Sequence, residues 1–149
     1  MKHYLSYVDD SFKANWNRPA LSNYGANTFT YGAVASEIEK MHLFFEKCGI
    51  RKGDKIALCA RNCAEWCISY FAVVTYDAVC VPLLADFLPQ NIADLTRLSD
   101  SRLLMLDKNI LAGLRRDNIV PQFSAFEGFC GIVDVVGLEV HEDCNGKLD

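Results

Sequence analysis

The stretch from Gly49 to Leu84, GIRKGDKIALCARNCAEWCISYFAVVTYDAVCVPLL, constrains the fold more than any other part of the chain. Gly49 can take the left-handed backbone conformation that closes a helix, and Gly53-Asp54 makes a turn. Lys55 to Ala60 has the length and apolarity of a short buried strand, and Asn62 is placed to cap a helix that starts near Cys63. Ala78 to Leu84 is rich in valine and reads as the next strand, stopped by Pro82 and the residues after it. Two strands joined by a helix in so little chain form a βαβ crossover, which implies a parallel sheet covered by helices. The fold class is therefore α/β, a parallel or mixed sheet flanked by helices.

The flanking segments extend this pattern. Residues 1–18 read as a short amphipathic helix (Tyr4, Leu5, Val8, Phe12) and a loop, and residues 19–149 as the α/β unit. Ala20 to Tyr24 and Thr28 to Thr30 are short strands of a hairpin around Gly25-Ala26-Asn27. Thr30 then caps a helix whose apolar positions Val34, Ile38, Met41, Phe45 and Cys48 advance by four, three, four and three residues, one helical face. The helix over 63–77 is apolar nearly all round, which places it between layers. Pro89 opens a helix that runs through Leu98 and ends at Ser99-Asp100, and Leu103 to Leu106 is a third strand. Asn109 to Arg116 is helical, residues 117–129 are irregular, and Gly131 to Val136 is another short strand. The final residues, GLEVHEDCNGKLD, are polar and present no closing element.

A chain of 149 residues is long enough for one domain with a real core. With 51% hydrophobic and 23% charged residues its composition is globular. A formal net charge of −4 gives no electrostatic footprint for nucleic acid or an anionic membrane surface. The longest apolar run, Trp66 to Tyr76, is too short to span a bilayer, so the expectation is a soluble protein. The seven cysteines mostly lie in apolar periodic segments, MKHYLSYVDDSF is too polar to read as a secretory h-region, and no Asn-x-Ser/Thr acceptor occurs. Free thiols in a reducing cytoplasm are the natural reading.

Chemistry-bearing patterns are sparse. Cys59, Cys63 and Cys67 fall four residues apart, but Cys59 ends a strand while the others lie on a helix among apolar neighbours. Zinc and iron–sulfur sites usually place one pair two residues apart in a loop, so packing is the expected role. GIRKGDK lacks the spacing and the Lys-Ser/Thr of a phosphate loop, no G-x-G-x-x-G or G-x-S-x-G occurs, and GFCG at 128–131 reads as a loop. His3, His42 and His141 are far apart in sequence and show no orienting partner. Asp9-Asp10 and Glu142-Asp143 are expected to be solvated charge.

Thr30-Tyr31-Gly32, a helical stretch, then GIRKGD, KIAL, CARNCAEW and AVCVPLL occur in an order and spacing that resemble the amino-terminal part of the adenylate-forming (AMP-binding) ligases. Within that superfamily the look is that of the acyl-CoA synthetases, particularly those acting on fatty acids, and it runs from about Pro19 to Asp107. One departure is Ala33, which stands where related ligases often carry the Glu of a capping box; its absence costs the helix no more than about 1 kcal/mol.

The resemblance implies a parent enzyme that activates a carboxylic or fatty acid with ATP and Mg²⁺, releases pyrophosphate and passes the acyl group to CoA. In the family, the Ser/Thr/Gly-rich phosphate loop, the acidic ribose contact and the catalytic Lys all lie beyond the segment seen here. The chain is therefore expected to be an amino-terminal scaffold piece ending before the phosphate loop. No catalytic, cofactor-binding or metal-ligating residue is assigned within 1–149, and no ATP, Mg²⁺ or CoA is expected to bind it tightly. Its expected partners are the remaining domains of the same ligase. Exposed apolar surface left by the helix over 63–77 is expected to favour self-association, and peripheral membrane contact is left open. The competing readings are a self-contained α/β binding or interaction module without catalytic activity, and a cysteine-based redox protein.

Overall fold

The computed structural model describes residues 1–148. The chain begins with α1 (Tyr4–Ala14), a hairpin of β1 (Pro19–Ser22) and β2 (Thr28–Thr30), and α2 (Tyr31–Lys47). There follow β3 (Lys55–Cys59), α3 (Ala64–Thr75), β4 (Val79–Pro82), α4 (Pro89–Leu98), β5 (Leu103–Leu106) and α5 (Lys108–Arg116). A 3₁₀ turn over Val120–Ala125, β6 (Gly131–Asp134) and β7 (Val140–Asp143) complete it. The strands of the main sheet lie in the order β4-β3-β5-β6-β7; the first four are parallel, and β7 runs antiparallel to β6.

The central strands are buried on both faces, which accounts for their continuous apolar runs. Ile56, Leu58, Leu103, Met105 and Val133 point into one core with α2 and α3. The alternate residues Ala57, Cys59, Leu104, Leu106 and Ile132 point into a second core under α4, α5 and the 3₁₀ turn. The period-two alternation of strands thus splits one sequence into two hydrophobic layers. Ile68, Ala72 and Val73 of α3 are fully buried, and Phe71 shares an apolar groove with Val8 and Phe12 of α1.

Four helices close with the same device. Gly49, Asp77, Asp100 and Asn118 follow α2, α3, α4 and α5 with φ values of 75°, 65°, 56° and 55°. Beyond each, a backbone N–H turns back five residues onto the helix: Ile50 to Phe45, Ala78 to Val73, Ser101 to Thr96, and Ile119 to Leu114. These are Schellman closures, and they satisfy carbonyls that the helix end leaves open.

Three expectations from the sequence are corrected. Asn62 does not cap α3; it is exposed, and Cys63 takes the N-cap position in an extended conformation without a side-chain bond. Asn23, from the hairpin turn, supplies the oxygen instead, accepting the Ala64 N–H at 2.8 Å. The tail does contain a closing element, because β7 pairs with β6, and Leu148 is buried. Its residues are only half-buried, so the strand rests on backbone pairing with an open sheet edge and leaves no apolar periodicity to read. Finally, α3 does not carry the exposed apolar surface, since α1 and α2 cover its outer side. Exposed apolar side chains include Val79 on the edge strand β4 and Leu84, Leu88, Leu95 and Leu98 on and before α4, with others such as Tyr7, Trp16 and Leu43 elsewhere. Several bounds also shift by one to two residues, and the irregular 117–129 segment holds the 3₁₀ turn.

Candidate functional site

Strand order reverses at β3: the chain crosses to β4 on one side and then returns to β5 on the other. Outside the carboxyl ends of strands at such a reversal, neighbouring loops diverge and leave a crevice. Beside that reversal, over the ends of β3 and β4, lies a cleft with a cavity volume of about 530 Å³, lined by Ala60, Arg61 and Asn62 after β3, by Trp66 of α3, and by Pro82 to Asp86 at and after the end of β4. This size suits a small-molecule ligand.

Asp107, at the end of β5, fixes one wall. Its Oδ1 accepts the Ile110 N–H at 2.9 Å and caps α5, while Oδ2 accepts the Arg61 N–H at 2.9 Å. One carboxylate therefore holds the loop after β3 and starts the helix after β5. The opposite wall is Trp66, which stacks on Tyr70 with ring centroids 5.7 Å apart and planes 5° from parallel. The Glu65 carboxylate accepts from the Asn23 amide at 2.9 Å and 3.2 Å, so the hairpin holds the same end of α3. The side chains lining the cleft include one cation, Arg61, and one carboxylate, Asp86. A triphosphate with Mg²⁺ needs several converging cations or backbone amides, so this lining alone does not fit one.

The cysteines are packed. Burial pushes the Cys59 thiol up to about 12, with the Asp107 charge adding to it. Burial does the same to Cys48, and takes Cys80 to about 11. The thiol of Cys63 is also raised, chiefly by burial. Among the described residues Cys59, Cys63 and Cys67 form no metal-type group.

The histidines differ from the expectation, for each has an orienting partner invisible in the linear sequence. His3 Nδ1 accepts the Leu5 N–H, and His42 Nε2 lies 2.9 Å from both Ala72 O and Thr75 Oγ1. His141 Nε2 lies 3.2 Å from Asp134 Oδ2, with both side chains buried. Asp9 and Asp10 pair with Lys13 and Lys2 at the exposed surface. Asp143, by contrast, is half-buried and organises the turn after β7, accepting the Gly146 N–H at 2.8 Å.

This arrangement, a four-stranded parallel sheet with helices on both faces and a cleft at its switch point, is the fold of the amino-terminal part of adenylate-forming ligases. Coronafacic acid ligase from Pectobacterium brasiliense superposes with a TM-score of 0.79 over 95% of this chain and 27% of its own, at 18% identity. A Mycobacterium tuberculosis fatty acyl CoA synthetase gives 0.74 over 85% of this chain and 25% of its own, at 17% identity. Residues 8–135 match the model of the AMP-binding enzyme family, and the chain belongs to that family. Crotonobetaine/carnitine–CoA ligase of Salmonella typhimurium is 31% identical over 96 residues, which are 62% of this chain and 19% of that ligase. The match thus spans about a fifth of the curated relative's length, and no helix among the described residues is long and apolar enough to cross a membrane.

Proposed function

We propose that this chain is the amino-terminal scaffold of an ATP-dependent, AMP-forming acyl-CoA ligase. The parent would convert a carboxylic acid, ATP and CoA to acyl-CoA, AMP and pyrophosphate in the cytoplasm, and a fatty acid is the favoured substrate class. Residues 1–18 form the leading helix and loop, and residues 19–149 form the α/β subdomain. The observation that carries this reading is the cleft over the carboxyl ends of β3 and β4, next to the switch point, in a chain whose curated relatives are CoA ligases. The chain's own part is to hold that cleft open and rigid: Asp107 fixes Arg61, and Asn23 fixes the start of α3. Its lining places no general base or phosphate cradle, so the adenylation chemistry belongs to further segments of the parent.

ATP–pyrophosphate exchange measured on the 149-residue chain tests the scaffold role. Exchange no higher than a buffer control is expected, and robust acid-dependent exchange would overturn it. Val79, Leu84, Leu88, Leu95 and Leu98 are exposed apolar side chains that the rest of such a ligase, or a second copy, would cover. Light scattering that reports a clean monomer at high concentration would argue against self-association through it.

A further inference from the structure

Asp134, Glu139 and His141 are the one group of three ligand-type side chains, among the described residues, whose donor atoms all lie within 4.8 Å of one another. They sit at the far end of the sheet from the switch-point cleft and take no part in the ligase reading. Asp134 ends β6, and the chain turns through Gly137 and Leu138, both at positive φ, to bring Glu139 and His141 back beside it. The backbone closes the same point, with Asp134 N–H donating to Glu139 O at 2.8 Å.

The donor geometry suits a metal. In a tetrahedral zinc site, bonds of 2.0–2.2 Å to nitrogen and oxygen put neighbouring donors about 3.4 Å apart. Asp134 Oδ2 and His141 Nε2 are separated by 3.2 Å. The second carboxylate oxygen of Asp134 accepts the Val136 N–H at 2.8 Å, which fixes the direction of the first. Asp134 is only 1% exposed, and a buried carboxylate calls for a cation or strong donors around it. Glu139 faces solvent and touches Lys108 at a loose 3.9 Å, so its carboxylate can close over the pair. One imidazole with two carboxylates favours zinc-like ions; calcium takes six to eight oxygens, and magnesium avoids imidazole.

We propose that Asp134, Glu139 and His141 form a three-ligand site for a divalent ion of the zinc class, with water in the fourth position, which clips β7 onto the sheet. Binding replaces the Asp134–His141 hydrogen bond with two metal bonds and joins both arms of the β6–β7 hairpin.

Titration of the 149-residue chain with Co²⁺ tests this, because thiolate ligation adds a near-ultraviolet charge-transfer band that nitrogen and oxygen ligation does not. A saturable visible d–d band without the thiolate band is expected, together with a rise in Tm of about 8 °C at a hundredfold excess of Zn²⁺ over its Kd. His141→Ala should abolish the band. Glu139→Gln, an exposed change that leaves the fold intact, should weaken binding at least tenfold. Absence of a saturable band, a thiolate band that survives His141→Ala, or unchanged affinity in Glu139→Gln would each overturn the site.

Discussion

Asn23 Oδ1 accepts the backbone N–H of Ala64 at 2.8 Å, so a turn residue of the hairpin caps a helix 41 positions further along the chain. The same side chain donates to Glu65 and to Asn27 Oδ1. Its neighbour in sequence to the helix, Asn62, makes no such bond. Asn23→Ala should therefore destabilise the protein by about 1–2 kcal/mol, while Asn62→Ala stays within about 0.5 kcal/mol. Urea denaturation of the two variants checks the contrast, and equal losses would restore the local cap.

The left-handed residues that end α3, α4 and α5 carry side chains where glycine would be unstrained. Asp77→Gly, Asp100→Gly and Asn118→Gly should each stabilise by about 0.5–1 kcal/mol, and nearly additively since they end different helices. Gly49→Ala should cost about 1 kcal/mol at a φ of 75°. Thermal melts of the single and triple variants read both signs.

Ser69 is buried in α3, and its hydroxyl has no hydrogen-bond partner among the described residues. Ser69→Ala removes that orphaned group and raises helix propensity, so a gain of about 1 kcal/mol is expected. A loss of stability on calorimetry would reveal a partner for the hydroxyl.

Two glycines allow close approach of quite different neighbours. A Cβ on Gly131 would run into the backbone oxygen of Glu142 and a methyl of Leu148, which forces β7 off the sheet. On Gly32 it would meet the indole of Trp16, a half-exposed side chain that can move. Gly131→Ala should cost roughly 3 kcal/mol or more and Gly32→Ala below about 1 kcal/mol. Amide exchange of β7 should accelerate only in the first.

Thiol burial sets an alkaline limit. Cys48 and Cys59 are raised from an ordinary 9.0 to about 12 and Cys80 to about 11, so the folded state holds protons that the unfolded chain releases. The associated stability is fully present below pH 9 and is lost progressively as pH climbs from 9 toward 12. Tm should therefore fall above pH 9, with a shallower slope in Cys59→Ala. Iodoacetamide should modify the buried Cys48 and Cys59 at pH 8 only at the rate of unfolding, and rapid labelling would revive a redox role.

Where a signal was carried by neighbours in sequence, the sequence sufficed. The strand Leu103–Leu106, the Thr30 cap, the Pro89 start and the Gly49 closure all rest on contacts a few residues long, and the structure has them in place. The βαβ block implied a parallel sheet covered by helices but no cleft, and the cleft wall could not be drawn from it, because Asp107 holds Arg61 through a bond that spans 46 residues. The Asn23 cap shares that character, while the Asp134–His141 pair and strand β7 are local to one hairpin but carry no sequence signal. The cap depends on which distant segments become neighbours, whereas β7 lacks an apolar alternation to announce it. Asp77 and Asn118 were missed for another reason, since a left-handed aspartate or asparagine looks like any polar residue in a turn.

The four Schellman closures bear on the order in which the molecule assembles. Each is complete within six residues, so helix ends at Gly49, Asp77, Asp100 and Asn118 can form while the rest of the chain is still diffuse. The beginning of α3 cannot, because its cap arrives only when the hairpin has docked across a long loop. The helix that launches the first parallel crossover is thus finished from its carboxyl end backwards. Its amino-terminal turn, the one beside the cleft, should be among the last parts of the chain to become rigid.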